Sequence, residues 1–195
     1  MVNFMPTITH YQPPFDLPII TLIAKDGKLV ALDWFTQKSE KLLGMGADDF
    51  YYQKIEALDK QTANGRVLLQ AIQELDEYFD GKRTSFGVPL DLSCGTPFQQ
   101  QVWQALLSIP YGQTISYATL AKRINKPTAF RACANANGKN PISLIIPCHR
   151  VIASDGGLGG YTGGIDIKKT LLNHEDKVCD NLHHICANSV MAEIL

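Results

Sequence analysis

The segment Ile145-Ile146-Pro147-Cys148-His149-Arg150-Val151-Ile152 carries more information than any other stretch of the chain. Its apolar residues flank a short polar centre, which predicts that it runs through the interior or along the floor of a cleft. The proline restricts the backbone and lacks a donor, so we expect Cys148 on a bend rather than within a strand. A free cysteine is commonly an unreactive core residue. The adjacent His149 and Arg150, however, can lower the pKa of a thiol and favour a nucleophile displayed in a pocket.

The composition is that of an ordinary globular protein. The 195 residues are 45% hydrophobic and 19% charged, enough for one large domain or two small ones. No apolar run approaches the roughly 20 residues that cross a bilayer, and the N-terminus lacks the basic start of a signal peptide. The five cysteines have no regular spacing, which favours reduced thiols in the cytosol or nucleus over a disulfide framework. We therefore expect a cytoplasmic protein.

The net charge of −1 hides an uneven distribution. Residues 1–92 hold nine Lys and Arg against thirteen Asp and Glu, a net charge of −4. Residues 93–178 hold nine against four, a net charge of +5, and residues 179–195 hold none against two. A basic segment around Cys148 suggests a polyanionic partner, because Lys and Arg gain affinity by releasing phosphate counterions. A charge excess of this size also fits an ordinary solvated surface.

Residues 1–92 have the pattern of an α+β unit. Two β-rich runs, 18–25 and 28–34, flank Asp26-Gly27, the strongest short-range signal for a hairpin with a type I′ turn. The remaining patterns predict helices over 36–43 and 64–80 and a strand over 86–92. This half holds no cluster of reactive side chains, which predicts a supporting role.

Residues 93–178 are predicted to be mainly helical. Capping residues and apolar spacing predict three helices, over 98–109, 117–124 and 129–137. A four-residue break joins the last two, as in a helix-turn-helix. The last helix is rich in small residues and offers one early cation, Arg131, which suits a minor groove better than base reading in the major groove. A helix pair that binds nothing and a surface salt bridge at Arg131 are equally compatible with these residues alone.

The run from Thr96 to Glu175 resembles the O6-alkylguanine-DNA alkyltransferases, also called methylated-DNA–protein-cysteine methyltransferases. Six motifs carry the resemblance, in this order: Ile115-Ser116-Tyr117, Arg131-Ala132, Asn140-Pro141, Ile146-Pro147-Cys148-His149-Arg150-Val151, Gly160-Tyr161-Thr162-Gly163-Gly164 and Leu171-Leu172-Asn173-His174-Glu175. Residues 1–92 match the family only in outline. The resemblance implies an α+β fold with three parts. They are an N-terminal ribonuclease H-like domain with an antiparallel hairpin sheet (1–92), a mainly helical, winged helix-turn-helix-like domain with the active site (93–178), and a poorly ordered tail (179–195).

The resemblance also implies catalytic roles. Cys148 would accept the alkyl group, His149 would be the base, and Glu175 would orient the imidazole from its other nitrogen, in the manner of a Cys-His-acid triad. Asn140 would brace this segment, and Tyr117 would donate to N3 of the leaving guanine. Neighbouring residues of an extended chain point to opposite faces, so we expect a water to connect Cys148 and His149. No metal and no cofactor are implied, and the Cys and His residues of the tail match no standard zinc motif.

The implied partner is double-stranded DNA containing O6-alkylguanine, bound by a monomer through the minor groove without sequence preference, and no membrane is implied. The nucleotide would be extruded into the pocket because O6 is buried in a base pair. Arg131 would fill the vacated stack, and Tyr117 would help to rotate the phosphate. Six further positions complete the implied DNA and base contacts: Ala129, Ala132, Arg150, Val151 and, over O6, Tyr161 with Thr162. A phosphate-cradling loop is the rival interpretation of the glycine-rich segment 156–164, but no Gly-Lys-Ser/Thr follows it.

The implied function is DNA repair by irreversible, single-turnover transfer of the alkyl group from O6-alkylguanine, and from O4-alkylthymine, to Cys148. Three alternatives are a non-catalytic alkyltransferase-like lesion-binding protein, a helix-turn-helix regulator and an unrelated Cys-His hydrolase. The first class replaces the nucleophile, which argues against it here. Thr162 keeps the hydroxyl of the serine that is frequent in the family, whereas Ser143 and Asn137 are more polar than the usual residues. Those two positions leave the width of the pocket open.

Overall fold

Helices and two small sheets build the chain. The computed structural model describes residues 5–34, 41, 43, 44 and 46–192, with the backbone alone for residues 47 and 182–192. The helices of defined extent are α1 (Ala63–Phe79), α2 (Pro97–Leu107), α3 (Tyr117–Arg123), α4 (Phe130–Gly138) and α5 (Ile165–Ala192). The strands are β1 (Thr7–Tyr11), β2 (Ile20–Lys25), β3 (Lys28–Asp33), β4 (Tyr51–Tyr52), β5 (Ile115–Ser116) and β6 (Val151–Ile152). The helix predicted over 36–43 falls largely outside the described residues.

The N-terminal half is built on a four-stranded sheet in the order β3-β2-β1-β4. Strand β2 pairs antiparallel with β1 and β3, and β4 pairs parallel with β1. The predicted hairpin is confirmed, because φ is 51° at Asp26 and 72° at Gly27, the positive values that a type I′ turn requires. Helix α1 packs across β1, β2 and β3.

The strand predicted over 86–92 is wrong. Leu90 forms only an isolated parallel bridge with Leu29 of β3, in which Leu29 donates its amide to Pro89 and accepts from Asp91. Proline has no amide hydrogen, so this segment cannot extend the ladder on both sides of Leu90. The extended, alternating pattern of residues 86–92 therefore gives one isolated bridge to β3 and not a strand.

A second isolated bridge joins β3 to the segment before Cys148. The amide of Leu32 donates to the carbonyl of Pro141 at 3.0 Å, and the amide of Ser143 donates to the carbonyl of Leu32 at 2.7 Å. Strand β3 lies at the end of the sheet, so its outer edge would otherwise present unpaired main-chain groups. The sheet edge is thereby covered by the chain that leads into the sequence Ile146-Pro147-Cys148.

The C-terminal half is a helical unit with a small parallel pair, β5 and β6. The predicted helix starts are confirmed: the Thr96 side chain caps α2 in a capping box with Gln99, and the Ser116 side chain caps α3. Helices α2, α3 and α4 contact one another, and the indole N–H of Trp103 donates to the carbonyl of Ala136 at 2.8 Å. Helix α4 is therefore fixed to α2 through a buried side chain as the second helix of the α3–α4 pair.

Buried apolar side chains of both halves form one continuous cluster, which includes Leu22 in the sheet, Trp103 in α2 and Leu171 in α5. Helix α5 passes residue 178 without a break, so no change of secondary structure marks the start of the predicted tail. The domain boundaries at 92/93 and 178/179 stay predictions. None of the helices in the described part of the chain combines the length and apolar composition needed to span a membrane.

We predict that Glu74→Ala destabilises the fold more than Glu77→Ala. The buried Glu74 carboxylate on α1 accepts from the amides of Gly87 and Val88 at 2.8 and 3.3 Å, and so holds the approach to the Leu90 bridge. Its removal leaves these donors unpaired and should cost about 1–3 kcal/mol of unfolding free energy. Glu77, on the exposed side of α1, pairs only with neighbouring side chains. Urea unfolding measures both variants, and equal losses would contradict the role of Glu74.

Candidate active site

Cys148 lies on a bend, as predicted, in the 3₁₀ turn Cys148–Arg150, and only 3% of it is exposed. Asn140 holds the chain before this turn: its side-chain amide donates to the Ile146 carbonyl at 2.8 Å, and its oxygen accepts from the Ile142 amide at 3.0 Å. The side chain of Asn137 donates to the Cys148 carbonyl at 3.3 Å. The Asn140 side chain thus makes two hydrogen bonds to the main chain, as the predicted bracing position requires.

A cavity of about 580 Å³ opens above Cys148. The predicted site residues at its wall are Tyr117, Arg131, Cys148, Tyr161 and Thr162. The remaining lining residues are Ala134, Asn135, Asn137, Gly138 and Gly160. The wall combines apolar surface, two phenols, a cation and a sulfur, which suits a flat heteroaromatic ligand with polar edges.

One face of α4 borders this cavity and is open to solvent. Phe130, Arg131, Ala132 and Asn135 are exposed, whereas Cys133 on the opposite face is buried. The guanidinium of Arg131 lies over the ring of Phe130, 5.6 Å from its centroid, and forms no ion pair with any described residue. The salt bridge considered for Arg131 is therefore not formed within the described part of the chain. Ala129 and Ala132, at the start of this helix, have no side chain beyond Cβ, and Ala132 is exposed.

His149 and Glu175 lie behind Cys148, away from solvent. Nε2 of His149 is 2.9 Å from Oε1 of Glu175, and both side chains are at most 1% exposed. Burial alone would raise the pKa of Glu175, but hydrogen bonds from His149 and Arg150 and the charge of Arg150 outweigh it and hold that pKa well below its usual range. Burial lowers the pKa of His149. An ionised carboxylate only accepts, so Nε2 carries the imidazole proton and Nδ1 keeps its lone pair.

Nδ1 of His149 is buried and has no hydrogen-bond partner among the described residues. A neutral imidazole with a free Nδ1 lone pair, on the residue after Cys148, can accept the proton of a thiol. The water predicted between Cys148 and His149 stays a prediction. Glu175 orients the ring from the far side, as the arrangement of a Cys-His-acid triad requires.

Arg150 is not brought to the cavity, contrary to the predicted DNA contact. Its side chain is 7% exposed and donates to both oxygens of Glu175, through Nε at 2.9 and 3.2 Å and through Nη2 at 2.8 Å. Nη1 donates to the carbonyl of Ile109, and the guanidinium lies over the ring of Tyr111. A buried carboxylate needs a paired cation, and Arg150 is therefore held in the interior beside Glu175 and not at the surface.

Sequence reasoning missed Lys168, on the first turns of α5. Its ammonium group is buried and donates to the carbonyls of Val151 and Leu158. Burial lowers the pKa of Lys168 to about 8, while negative charge on Cys148 acts in the opposite direction. A cation therefore lies within electrostatic reach of the sulfur. Lysine is usually a surface residue, so the sequence offered no signal for it beyond its place between the buried Ile167 and Leu171.

The two phenols of the cavity keep their protons at neutral pH. Burial, followed by the charge of Cys148, raises the pKa of Tyr117 and raises that of Tyr161 well above its usual value. The Tyr161 hydroxyl accepts from the indole N–H of Trp34 at 3.1 Å. Thr162 donates its hydroxyl to the carbonyl of Gly138 at 2.9 Å and so ties the glycine-rich loop to the end of α4. Both phenols can therefore donate a hydrogen bond to a bound ligand.

Two family models match the chain, and together they cover both halves. Residues 97–177 match the DNA binding domain of 6-O-methylguanine DNA methyltransferase, and residues 15–92 match its ribonuclease-like domain. Two solved structures are also similar. A Mycobacterium tuberculosis OGT in complex with DNA has a TM-score of 0.72 and 38% identity, covering 88% of this chain and 94% of its own. An O6-methylguanine-DNA methyltransferase from Pyrococcus kodakaraensis has a TM-score of 0.59 and 26% identity, covering 88% and 99%.

Curated relatives named methylated-DNA--protein-cysteine methyltransferase match the same region. A Mycobacterium leprae protein is 55% identical over 106 residues, 54% of this chain and 64% of its own length. A Methanosarcina barkeri protein is 48% identical over 124 residues, 64% of this chain and 78% of its own length. The matched part thus spans about two thirds of the mycobacterial relative. The α+β fold, with an N-terminal sheet and a helical C-terminal unit, agrees with these matches, and the chain belongs to the 6-O-methylguanine DNA methyltransferase family.

Proposed function

We propose that this protein repairs DNA by moving an alkyl group from O6 of guanine, and from O4 of thymine, to Cys148. The observation that carries the proposal is Cys148 at the wall of a cavity with the size and lining for a purine, followed directly in sequence by His149, which is hydrogen-bonded to the buried Glu175. Family membership supports the same reaction class. The alkyl group ends on Cys148 as a thioether, which does not readily release it, so each molecule acts once.

The chemistry is an in-line displacement at the alkyl carbon. The Cys148 thiol gives its proton to Nδ1 of His149 through a water, and the thiolate attacks the carbon. The new carbon–sulfur bond forms as the carbon–O6 bond breaks, and the electron pair of that bond stays on the guanine. Tyr117 donates a hydrogen bond to N3 of the leaving base. The base takes up one proton, which balances the proton that His149 received from the thiol and returns to solvent. The buried Lys168 favours the thiolate by its charge.

The substrate is duplex DNA approached from the minor groove without sequence preference. The exposed face of α4 carries small residues and one cation without an ion-pair partner among the described residues, so it can lie close to the backbone without reading base edges. Arg131 at the mouth of the cavity occupies the space left by the extruded nucleotide. The residues of a single chain suffice to form the cavity, so we propose a monomer, and the need for a free thiol points to the cytoplasm. The glycine-rich loop is the cover of the pocket rather than a phosphate cradle.

Cys148→Ser is expected to abolish transfer, because a serine hydroxyl stays protonated at neutral pH. The assay incubates the protein with excess O6-methylguanine duplex and weighs its tryptic peptides. Wild type should gain one methyl, on the Cys148 peptide, and consume an equal amount of lesion. Cys94→Ser, at a half-buried thiol outside the cavity, is the matched control and should react like wild type. Binding without mass gain by the wild type would favour a non-catalytic lesion-binding protein, and repeated turnover would favour a hydrolase.

Glu175→Gln is expected to slow methyl transfer and to destabilise the fold in a pH-dependent way. Breaking one side of a buried ion pair costs about 3–5 kcal/mol. The pKa of Glu175 is depressed, so its contribution is complete above the unfolded value of about 4.3 and is lost as the pH falls further. The melting temperatures of wild type and variant should therefore differ most between about pH 6 and 8 and begin to converge only below about pH 4, because the folded pKa lies well below that value. A constant difference across this range would contradict the charged role of Glu175.

Arg131→Ala is expected to slow transfer from duplex DNA by about 10- to 100-fold, because extruding a paired nucleotide costs a few kcal/mol. Transfer from free O6-benzylguanine, which needs no extrusion, should change little. Arg123→Ala removes the same charge from the end of α3, outside the cavity, and is the control. Single-turnover kinetics on both substrates measure the effect. A parallel loss on both substrates would contradict an extrusion role.

A further inference from the structure

We infer that Trp34, at the end of β3, is a positioning residue that aims the hydroxyl of Tyr161 into the pocket. The inference rests on the proposed function and deepens it, because it gives a residue of the N-terminal sheet a part in the reaction. Trp34 does not line the cavity, whereas Tyr161 does. Trp34 therefore acts through the tyrosine and not on the base.

The contact is a single buried hydrogen bond between the two halves. Trp34 is 3% exposed, and its Nε1 lies 3.1 Å from the Tyr161 oxygen, across 127 positions of sequence. Tyr161 lines the cavity, and its hydroxyl oxygen is the atom that accepts from the indole. The indole is thus the anchor of the tyrosine on the side away from the substrate.

The direction of this hydrogen bond fixes where the phenol can donate. An indole N–H only donates, so it occupies one lone pair of the Tyr161 oxygen and turns the phenolic hydrogen away from Trp34. The side chain of Ser143 also interacts with the hydroxyl. Because Tyr161 keeps its proton, a single hydrogen is left to point to Ser143 or into the pocket, where O6 of an extruded guanine develops charge.

The same indole also supports the main chain of the pocket loop. A Cβ on Gly163 would lie 2.6 Å from Cδ1 of Trp34 and 2.8 Å from Cε1 of Tyr161, so the backbone there rests directly on both rings. Ser143, in turn, is held to β3 by a hydrogen bond that its main-chain amide donates to the Leu32 carbonyl. The end of β3 therefore positions all three residues, Trp34, Tyr161 and Ser143.

The test removes the indole donor and follows methyl transfer. Trp34→Phe is expected to slow single-turnover transfer from O6-methylguanine duplex by about 3- to 10-fold, the range of one lost hydrogen bond. Affinity for undamaged duplex should be unchanged, because Trp34 is buried away from the exposed face of α4. Replacing Trp34 with benzothienylalanine keeps the ring shape and deletes only the N–H, so it should show the same slowing with a smaller loss of melting temperature than Trp34→Phe.

A double-mutant cycle separates positioning from mere support. On a Tyr161→Phe background, Trp34→Phe should slow transfer less than twofold further, since the hydroxyl it aims is already gone. Trp103→Phe is the matched control, because it also removes a buried indole donor, and its effect should multiply with that of Tyr161→Phe. Wild-type rates in the two Trp34 variants, or effects that multiply with Tyr161→Phe, would overturn the inference.

The outcomes distinguish this inference from the proposed function. A wild-type protein that gains no methyl on Cys148 would overturn both. A reacting wild-type protein whose rate is indifferent to the indole N–H would overturn only the role of Trp34.

Discussion

The carboxylate of Glu175 is the buried charge around which the candidate site is assembled. It accepts from the Tyr78 hydroxyl, the Gly112 amide, the His149 imidazole and the Arg150 guanidinium, which come from α1, from the turn after α2 and from the turn that carries Cys148. Two carboxylate oxygens offer about four lone-pair positions, so the group is fully occupied. A carboxylate held in this way cannot swing, and the imidazole that it holds cannot rotate.

Arg150 explains how such a charge can exist in the interior. Its planar guanidinium donates hydrogen bonds to both oxygens of Glu175 at once, a geometry that the single ammonium group of a lysine does not offer. Burial, and to a smaller extent the charge of Arg150, lowers the pKa of His149, so His149 stays neutral beside the carboxylate and is able to take a proton. The interior of this protein is thus arranged around a neutral base beside a paired anion, with the cation of Lys168 on the side of Val151.

The sequence was informative where chemistry and local geometry coincide. The hairpin at Asp26-Gly27, the helix caps and the residues that meet around Cys148 follow from turn propensities, capping rules and the family motifs. It was uninformative where a side chain has an unusual environment. Arg150 and Lys168 look like surface cations because nothing local reveals a buried acceptor, and the tryptophan at position 34 looks like an ordinary core residue. The extended pattern over 86–92 gives one bridge because pairing depends on a distant partner strand.

The continuous apolar cluster across the two halves has a consequence for how this protein can change over time. A sheet whose open edge is covered by the chain leading to the reactive sulfur cannot be redesigned, truncated or exchanged with that of a relative on its own. A replacement sheet must pack against the apolar residues of the C-terminal half, or the cooperative unfolding of the molecule is lost. Substitutions between the two halves therefore act on the segment that leads to Cys148 as well as on the stability of the sheet.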